Sequence, residues 1–366
     1  MKAAPILTLL ATSLWAAQDA APTFDDLATR ATAARNTNDA KTAIGLYRQA
    51  LQLNPNWEEG WWFLGSLQYE ADQYAKGAES LSRLVNLRPS AGPGWALLGL
   101  CEYQTGNYGP ALEHIQRSLA AGVGNQEQMA GVLRFHEALL LTRTGDFDGA
   151  LQKFSGLITP GISDPQVLLA LGLATLRQPI TPREVRKDQQ DALLIAGKAM
   201  AYLFGGDHAR AQQAFQELVN RYGTVPNAHY AYGFFLFSSD PNGAAEEWKR
   251  ELSVDSGNAA AHGMLAWICF LRDDWDGALK HAETASANDP TVTVAQIVLG
   301  RALVRKGEVQ TGLLHLEKAA AREPANLEAH LALATAYSEA GRKQEARRER
   351  QLCLQMKAEA GSIAAR

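Results

Sequence analysis

The residues of this chain best able to do chemistry are eight histidines, three cysteines and a few acidic pairs. Histidine and cysteine hold zinc when three or four of them converge within about 2–2.3 Å of one ion. No His-x3-His or Cys-x2-Cys pair occurs to seed such a site. His229, His262 and His330 recur at one place of a repeating pattern. Two in adjacent repeats would stand roughly 10 Å apart, the usual spacing of packed helices, so they are expected to pack rather than to share a metal. Cys101, Cys269 and Cys353 fall in separate repeats. The last two are two repeats apart, beyond the reach of a disulfide, and all three read as small buried apolar residues.

Catalytic signatures are missing. There is no Gly-x4-Gly-Lys-Ser/Thr loop to cradle phosphates, no dinucleotide fingerprint and no Gly-x-Ser-x-Gly nucleophile elbow. The pairs Glu58-Glu59, Glu246-Glu247 and Asp273-Asp274 are expected at turns or on solvated helix faces. The net charge is −4 and 20% of residues are charged, with no basic stripe of the kind nucleic acid requires. The short basic run from Arg342 to Arg350 is interleaved with Glu345 and Glu349 and reads as a solvated face. The expectation is a protein without catalytic residues, cofactor, metal or nucleic-acid partner.

The elements that position these side chains come from a period of 34 residues. Counted from Phe24, slot 8 of successive repeats holds Ala31, Gly65, Gly99, Ala138, Ala199, Gly233, Ala266, Gly300 and Ala334. Slot 20 holds Ala43, Gly77, Ala111, Ala150, Ala211, Ala245, Ala278, Gly312 and Ala346. Two columns without a bulky residue mean two helices in close contact once per repeat. Slot 32 holds Pro55, Pro89, Pro290 and Pro324, where proline ends a helix at little cost. Thr105-Gly106-Asn107, Thr144-Gly145-Asp146 and Gly205-Gly206-Asp207 have the chemistry of tight turns between paired helices.

With Trp61 and Trp95 at slot 4 and Leu64, Leu98, Leu265, Leu299 and Leu333 at slot 7, the pattern resembles the tetratricopeptide repeat (TPR) family. Residues 61–89 and 293–324 carry the resemblance best. It implies an all-α solenoid of helical hairpins wound as a right-handed superhelix. Each hairpin is too small to bury its own apolar stripe, and stacking on neighbours completes the core. The solenoid is expected over residues 24–360, with repeats starting near 24, 58, 92, 131, 192, 226, 259, 293 and 327, and a tail at 361–366. Five extra residues precede 131, and the repeat at 226 is one residue short. Residues 165–191 form a degenerate unit, one apolar helix followed by a polar, Pro-broken loop. These read as lesions in one continuous array. Residues 1–20, with Lys2 before an apolar stretch from Ile6 to Trp15, read as a secretory signal peptide. No later segment reaches eighteen apolar residues without a charge. An exported, periplasmic or secreted protein of bacterial type, without an integral membrane span once the signal is removed, is expected.

The resemblance further implies that slots 2, 5, 9 and 12 line a concave groove. On this chain they give Trp62, Tyr69, Tyr103, Tyr230, Phe234, Trp267 and Phe270 as candidate contacts, with Phe135 and Phe237 beside them. After Ile297 the same slots turn polar at Arg301, Thr335 and Ser338. A strip of aromatic anchors suits an apolar peptide or protein partner. The alternative is that these rings pack against the protein itself. The Lys and Asn of the family's carboxylate clamp, and the asparagine ladder of its sugar-transfer enzymes, have no counterparts at the matching slots. A non-catalytic interaction scaffold is the leading expectation, and an accessory subunit of envelope polysaccharide export or outer-membrane assembly is the second.

Overall fold

The structure, a computed structural model, describes residues 21–123, 127–159 and 161–364. The stretch read as a signal peptide, 1–20, lies outside the described residues, as do 124–126 within the insertion before 131. The described residues are helices and turns, and they fall into two compact units, 1–137 and 138–366.

The first unit holds three hairpins: α1 (Phe24–Asn36) with α2 (Ala40–Leu53), α3 (Glu58–Glu70) with α4 (Tyr74–Leu87), and α5 (Gly92–Gln104) with α6 (Tyr108–Ala121). It also takes the start of α7 (Glu127–Thr144), within which the division falls. The second unit continues with α8 (Phe147–Ser155), a lone α9 (Pro165–Thr175), then α10 (Lys187–Phe204) with α11 (His208–Tyr222) and α12 (Ala228–Leu236) with α13 (Pro241–Val254). It ends with α14 (Ala259–Leu271) and α15 (Trp275–Asn288), α16 (Thr293–Arg305) and α17 (Val309–Arg322), and α18 (Leu327–Glu339) and α19 (Lys343–Ala364). No helix among the described residues is long and apolar enough to cross a membrane.

The two small-residue columns meet where expected. A Cβ on Gly300 would lie 2.9 Å from the Gly312 carbonyl oxygen, and one on Gly312 would lie 2.6 Å from that of Gly300. Gly99 faces the Ala111 carbonyl at 3.1 Å in the same way. The backbones of paired helices thus touch, and the alanines of both columns are buried. The turn glycines Gly106, Gly145 and Gly206 have φ of 81°, 87° and 75°, the left-handed conformation a side chain disfavours.

The second helices start by a common device. Asp146, Asp240 and Asp274 each accept a hydrogen bond from the backbone N–H three residues on, at Gly149, Gly243 and Gly277, over 2.9–3.0 Å. A Cβ on those glycines would come within 2.3–2.5 Å of the capping carboxylate. The Asp-x-x-Gly pattern therefore makes room for its own cap. Asn258 and Asn326 cap α14 and α18 in the same manner.

The region 165–191 holds a contact that the sequence pattern does not announce. α9 lies against α10 through Gly172 and Gly197, whose added Cβ atoms would meet the carbonyls of Leu193 and Leu168 at 2.0 and 1.9 Å. α10 begins at Lys187, five residues ahead of the expected repeat start. Only a 3-10 turn at Pro182–Glu184 breaks the polar loop. At the other end, α19 runs to Ala364, into the stretch read as a tail.

Candidate functional site

The polar side chains inside the hairpins are arranged by the repeat. In five repeats slot 4 bonds back to the turn before its helix. Trp61 and Trp95 donate their indole N–H to the carbonyls of Pro55 and Pro89, both at 2.8 Å, and Gln296 donates to Pro290 at 3.1 Å. His262 and His330 put Nε2 3.2 and 3.1 Å from the carbonyls of Ser256 and Pro324. In every case the acceptor lies six residues back, on the turn that ends the preceding helix. Slot 4 also faces slot 23 of the second helix, a place that Glu247 takes in the repeat at 226, which is one residue short. His229 meets Glu247 at 2.6 Å, His262 meets His281 at 2.8 Å, Gln296 meets His315 at 2.7 Å, and His330 meets Glu349 at 2.5 Å. Trp95 lies against His114, the rings tilted by 32° with centroids 5.0 Å apart.

The recurring histidines are therefore partners within single hairpins. Among the described residues no three His, Cys, Asp or Glu side chains stand close enough to hold a metal ion. Glu247 departs from the expectation of a solvated acidic pair: it is buried, because slot 23 turns inward to His229, and it also binds Arg250. The three cysteines are free thiols. Burial pushes the Cys101 thiol up to about 12, which leaves it protonated and unreactive at neutral pH.

In the first unit, Trp62 and Tyr69 line a cavity of about 860 Å³ together with Phe63, Leu97 and Pro93. Both aromatic residues are half-buried. Tyr69 is steadied edge-on by Tyr74, with centroids 5.5 Å apart. Arg35, from the last turn of α1, closes one side, its guanidinium carbon 3.4 Å from the centre of the Phe63 ring. Its Nη1 is buried and has no hydrogen-bond partner among the described residues. Glu70, exposed, is the acidic member of the lining.

In the second unit, Trp267 and Phe270 come together on α14, with centroids 5.1 Å apart. Trp275 meets Phe270 edge-on at 5.4 Å. Arg301 lies 5.0 Å over Phe270 and Arg305 lies 4.5 Å over Trp275. Arg301 also binds Glu328. Arg301 Nε and Trp275 Nε1 are buried without an acceptor among the described residues. Phe234, on α12, is 48% exposed.

Two of the seven candidate contacts are interior. Tyr103 is 7% exposed and packs edge-on against His136, centroids 5.0 Å apart. Tyr230 is 9% exposed, with Arg177 5.4 Å over its ring, and burial raises its phenol to about 12 against the pull of that arginine. Their slots predict an inward face, but neighbouring helices cover them. Arg35, Phe63 and Trp275 were not among the expected contacts. Arg35 could have been found as the lone charge in its inner column, slot 12.

Tetratricopeptide repeat models match residues 28–94, 64–126 and 297–349, and a further one matches 191–224, together about half of the chain. Cellulose synthase operon protein C of Xanthomonas axonopodis pv. citri (strain 306) is 24% identical in an alignment 225 positions long that covers 55% of this chain. The chain spans 15% of that relative's length. Among solved structures, MamA is 21% identical with a TM-score of 0.36, over 45% of this chain and 96% of that one. A MamA from Desulfovibrio magneticus RS-1 is 18% identical with a TM-score of 0.38, over 46% and 96%. YrrB, described as a TPR protein with an unusual peptide-binding site, is 15% identical with a TM-score of 0.36, over 46% and 88%. Repeat period, touching small-residue columns and matched models agree, and the chain belongs to the tetratricopeptide repeat family.

Proposed function

We propose that this protein is a non-catalytic scaffold that binds a peptide segment of a protein partner. The observation that carries the reading is the cavity holding Trp62 and Tyr69. It is preformed, flanked by aromatic rings, and of the size that encloses a short peptide or a drug-sized molecule. A rigid helical frame loses little freedom on binding, so the apolar area a partner buries there converts efficiently into affinity. Phe234 and the Trp267–Phe270 pair form further contact surface on the second unit. Tyr103 and Tyr230 support the frame from within. The setting is extracytoplasmic, on the reading of residues 1–20 as a signal peptide.

The test is a cross-linking capture from the native envelope fraction with the mature chain, 21–366, and with a Trp62→Ala, Tyr69→Ala double variant. Circular dichroism should first establish that the variant is folded. Loss of one dominant partner is the expected result. An unchanged set of partners would remove the cavity from the function. The likeness to cellulose synthase operon protein C favours a second reading, an accessory part in envelope polysaccharide export or outer-membrane assembly. Retention of soluble oligosaccharide on an immobilised column, unaffected by competing peptide, would favour it over the first.

A further inference from the structure

The cavity of the first unit is not uniformly apolar, and its one cationic group is unusually placed. Arg35 reaches it from the last turn of α1, with its guanidinium carbon over the Phe63 ring, 3.4 Å from the centroid. A guanidinium carries five N–H donors in a rigid fork. Here Nη1 is out of solvent and meets no acceptor among the described residues. Nη1 is sealed inside the protein, so a ligand in the cavity meets the guanidinium through its other N–H donors. The acceptor with the greatest gain is an anion, because charge-assisted hydrogen bonds are about twice as strong as neutral ones. Phosphate would call for more than one cation. Asn38 and Ser66 are the neutral polar members of the lining, and its apolar part, with Trp62, Phe63, Tyr69, Leu97 and Pro93, instead suits an apolar side chain next to a single carboxylate.

We propose that the cavity recognises an extended partner segment in which an Asp or Glu side chain lies beside an aromatic or aliphatic one, the carboxylate accepting from the Arg35 guanidinium and the apolar group seated against Trp62 and Tyr69. The inference rests on the peptide-binding reading given above and adds the chemistry of the peptide. Glu70 faces the same cavity and opposes the ligand's charge. It sets a counterweight that its neutral variant removes.

The experiment screens two synthetic octapeptide libraries against the full chain, one acetylated and amidated, the other with a free C-terminal carboxylate. Selected peptides are then titrated with their acidic residue as Glu or as Gln. The capped library should yield peptides with an acidic residue beside an apolar one. Changing that residue to Gln should weaken binding about tenfold on the native chain and by less than about threefold on Arg35→Gln. Glu70→Gln should tighten binding of the acidic peptides alone. Arg35→Lys, which keeps the charge without the planar fork, should recover part of the discrimination, and matched melting curves should exclude misfolding. Apolar peptides that bind with no acidic preference would overturn the carboxylate assignment while leaving peptide binding intact. Selection only from the free-acid library would overturn the side-chain source in favour of a chain terminus. Failure of both libraries to bind would overturn this inference and the peptide-binding reading together.

Discussion

At the scale of single residues, space decides more than chemical type. Gly197 stands where a methyl group would sit 1.9 Å from a backbone carbonyl, a clash with no flexible side chain to yield. Gly197→Ala is expected to destabilise by about 1–3 kcal/mol or more in urea titration, as overpacked sites do. Gly45 is also inside a helix but has nothing within 4 Å of its virtual Cβ. Gly45→Ala should be neutral or stabilise by about 0.5–1 kcal/mol, through helix propensity alone. Equal costs at the two positions would disprove the contrast. Both are plain glycines in the sequence. The slot columns reveal Gly300 and Gly312, whereas Gly172 and Gly197 lie off the period and were not legible. The pair of His262 and His281 gives a further expectation. Their Nδ1 atoms are 2.8 Å apart, leaving room for one proton between them. Burial first, and His262 second, lower the His281 pKa below its ordinary 6.5. The unfolded chain therefore binds that proton more readily. The contribution is present above pH 6.5 and is lost as pH falls through the folded value. Denaturant titrations at pH 7.5 and 5.5 should show less acid destabilisation in His281→Gln than in the native chain, and equal slopes would sink the idea.

At the scale of elements, helix ends carry the specificity. α12 has no side-chain cap of its own, and Asn227 before it has a φ of 68°. Its first donors are instead satisfied from α13, where the wholly buried Glu251 accepts from Asn227 N at 2.7 Å and Tyr230 N at 3.1 Å. Asn258 adds a third donor at 3.2 Å, and Asn227 reaches back to the Leu176 carbonyl at 3.1 Å. One carboxylate therefore ties three helix ends together, while burial pushes its pKa up. Glu251→Ala is expected to orphan these donors at about 1–3 kcal/mol for each that water cannot reach. Glu251→Gln, which keeps an acceptor, should cost less. Thermal unfolding of the two variants checks the order. The sequence marks Glu251 only as an acidic residue in a helix, because its partners lie 7 to 24 residues away.

At the scale of the whole molecule, stability accrues from stacked neighbours, so ends matter. In the second unit, α18 and α19 cover Ile297, Leu313 and Leu316, which are otherwise an open apolar face. Removing 327–366 should lower the melting temperature and raise light scattering, since a bare solenoid end seeks a partner. An unchanged melting curve would show that the terminal hairpin caps nothing. Tyr103→Ala belongs to the same scale. As an interior ring it should cost about 3–5 kcal/mol, whereas the half-buried Trp62 should weaken partner capture at a smaller loss of stability. The reverse order would return Tyr103 to the contact surface.

The sequence by itself determined the helical repeat, the touching columns, the turn glycines and the absence of known catalytic signatures, because each is a local or strictly periodic demand on residue type. The tertiary structure decided which rings are interior and which are open, since burial depends on helices packed from elsewhere in the chain. It also decided that slot 4 answers to slot 23, and that Arg35 meets Phe63 at a cavity wall. These are encounters between residues 18 to 28 positions apart, and their geometry is set by how helices pack rather than by what any one of them contains.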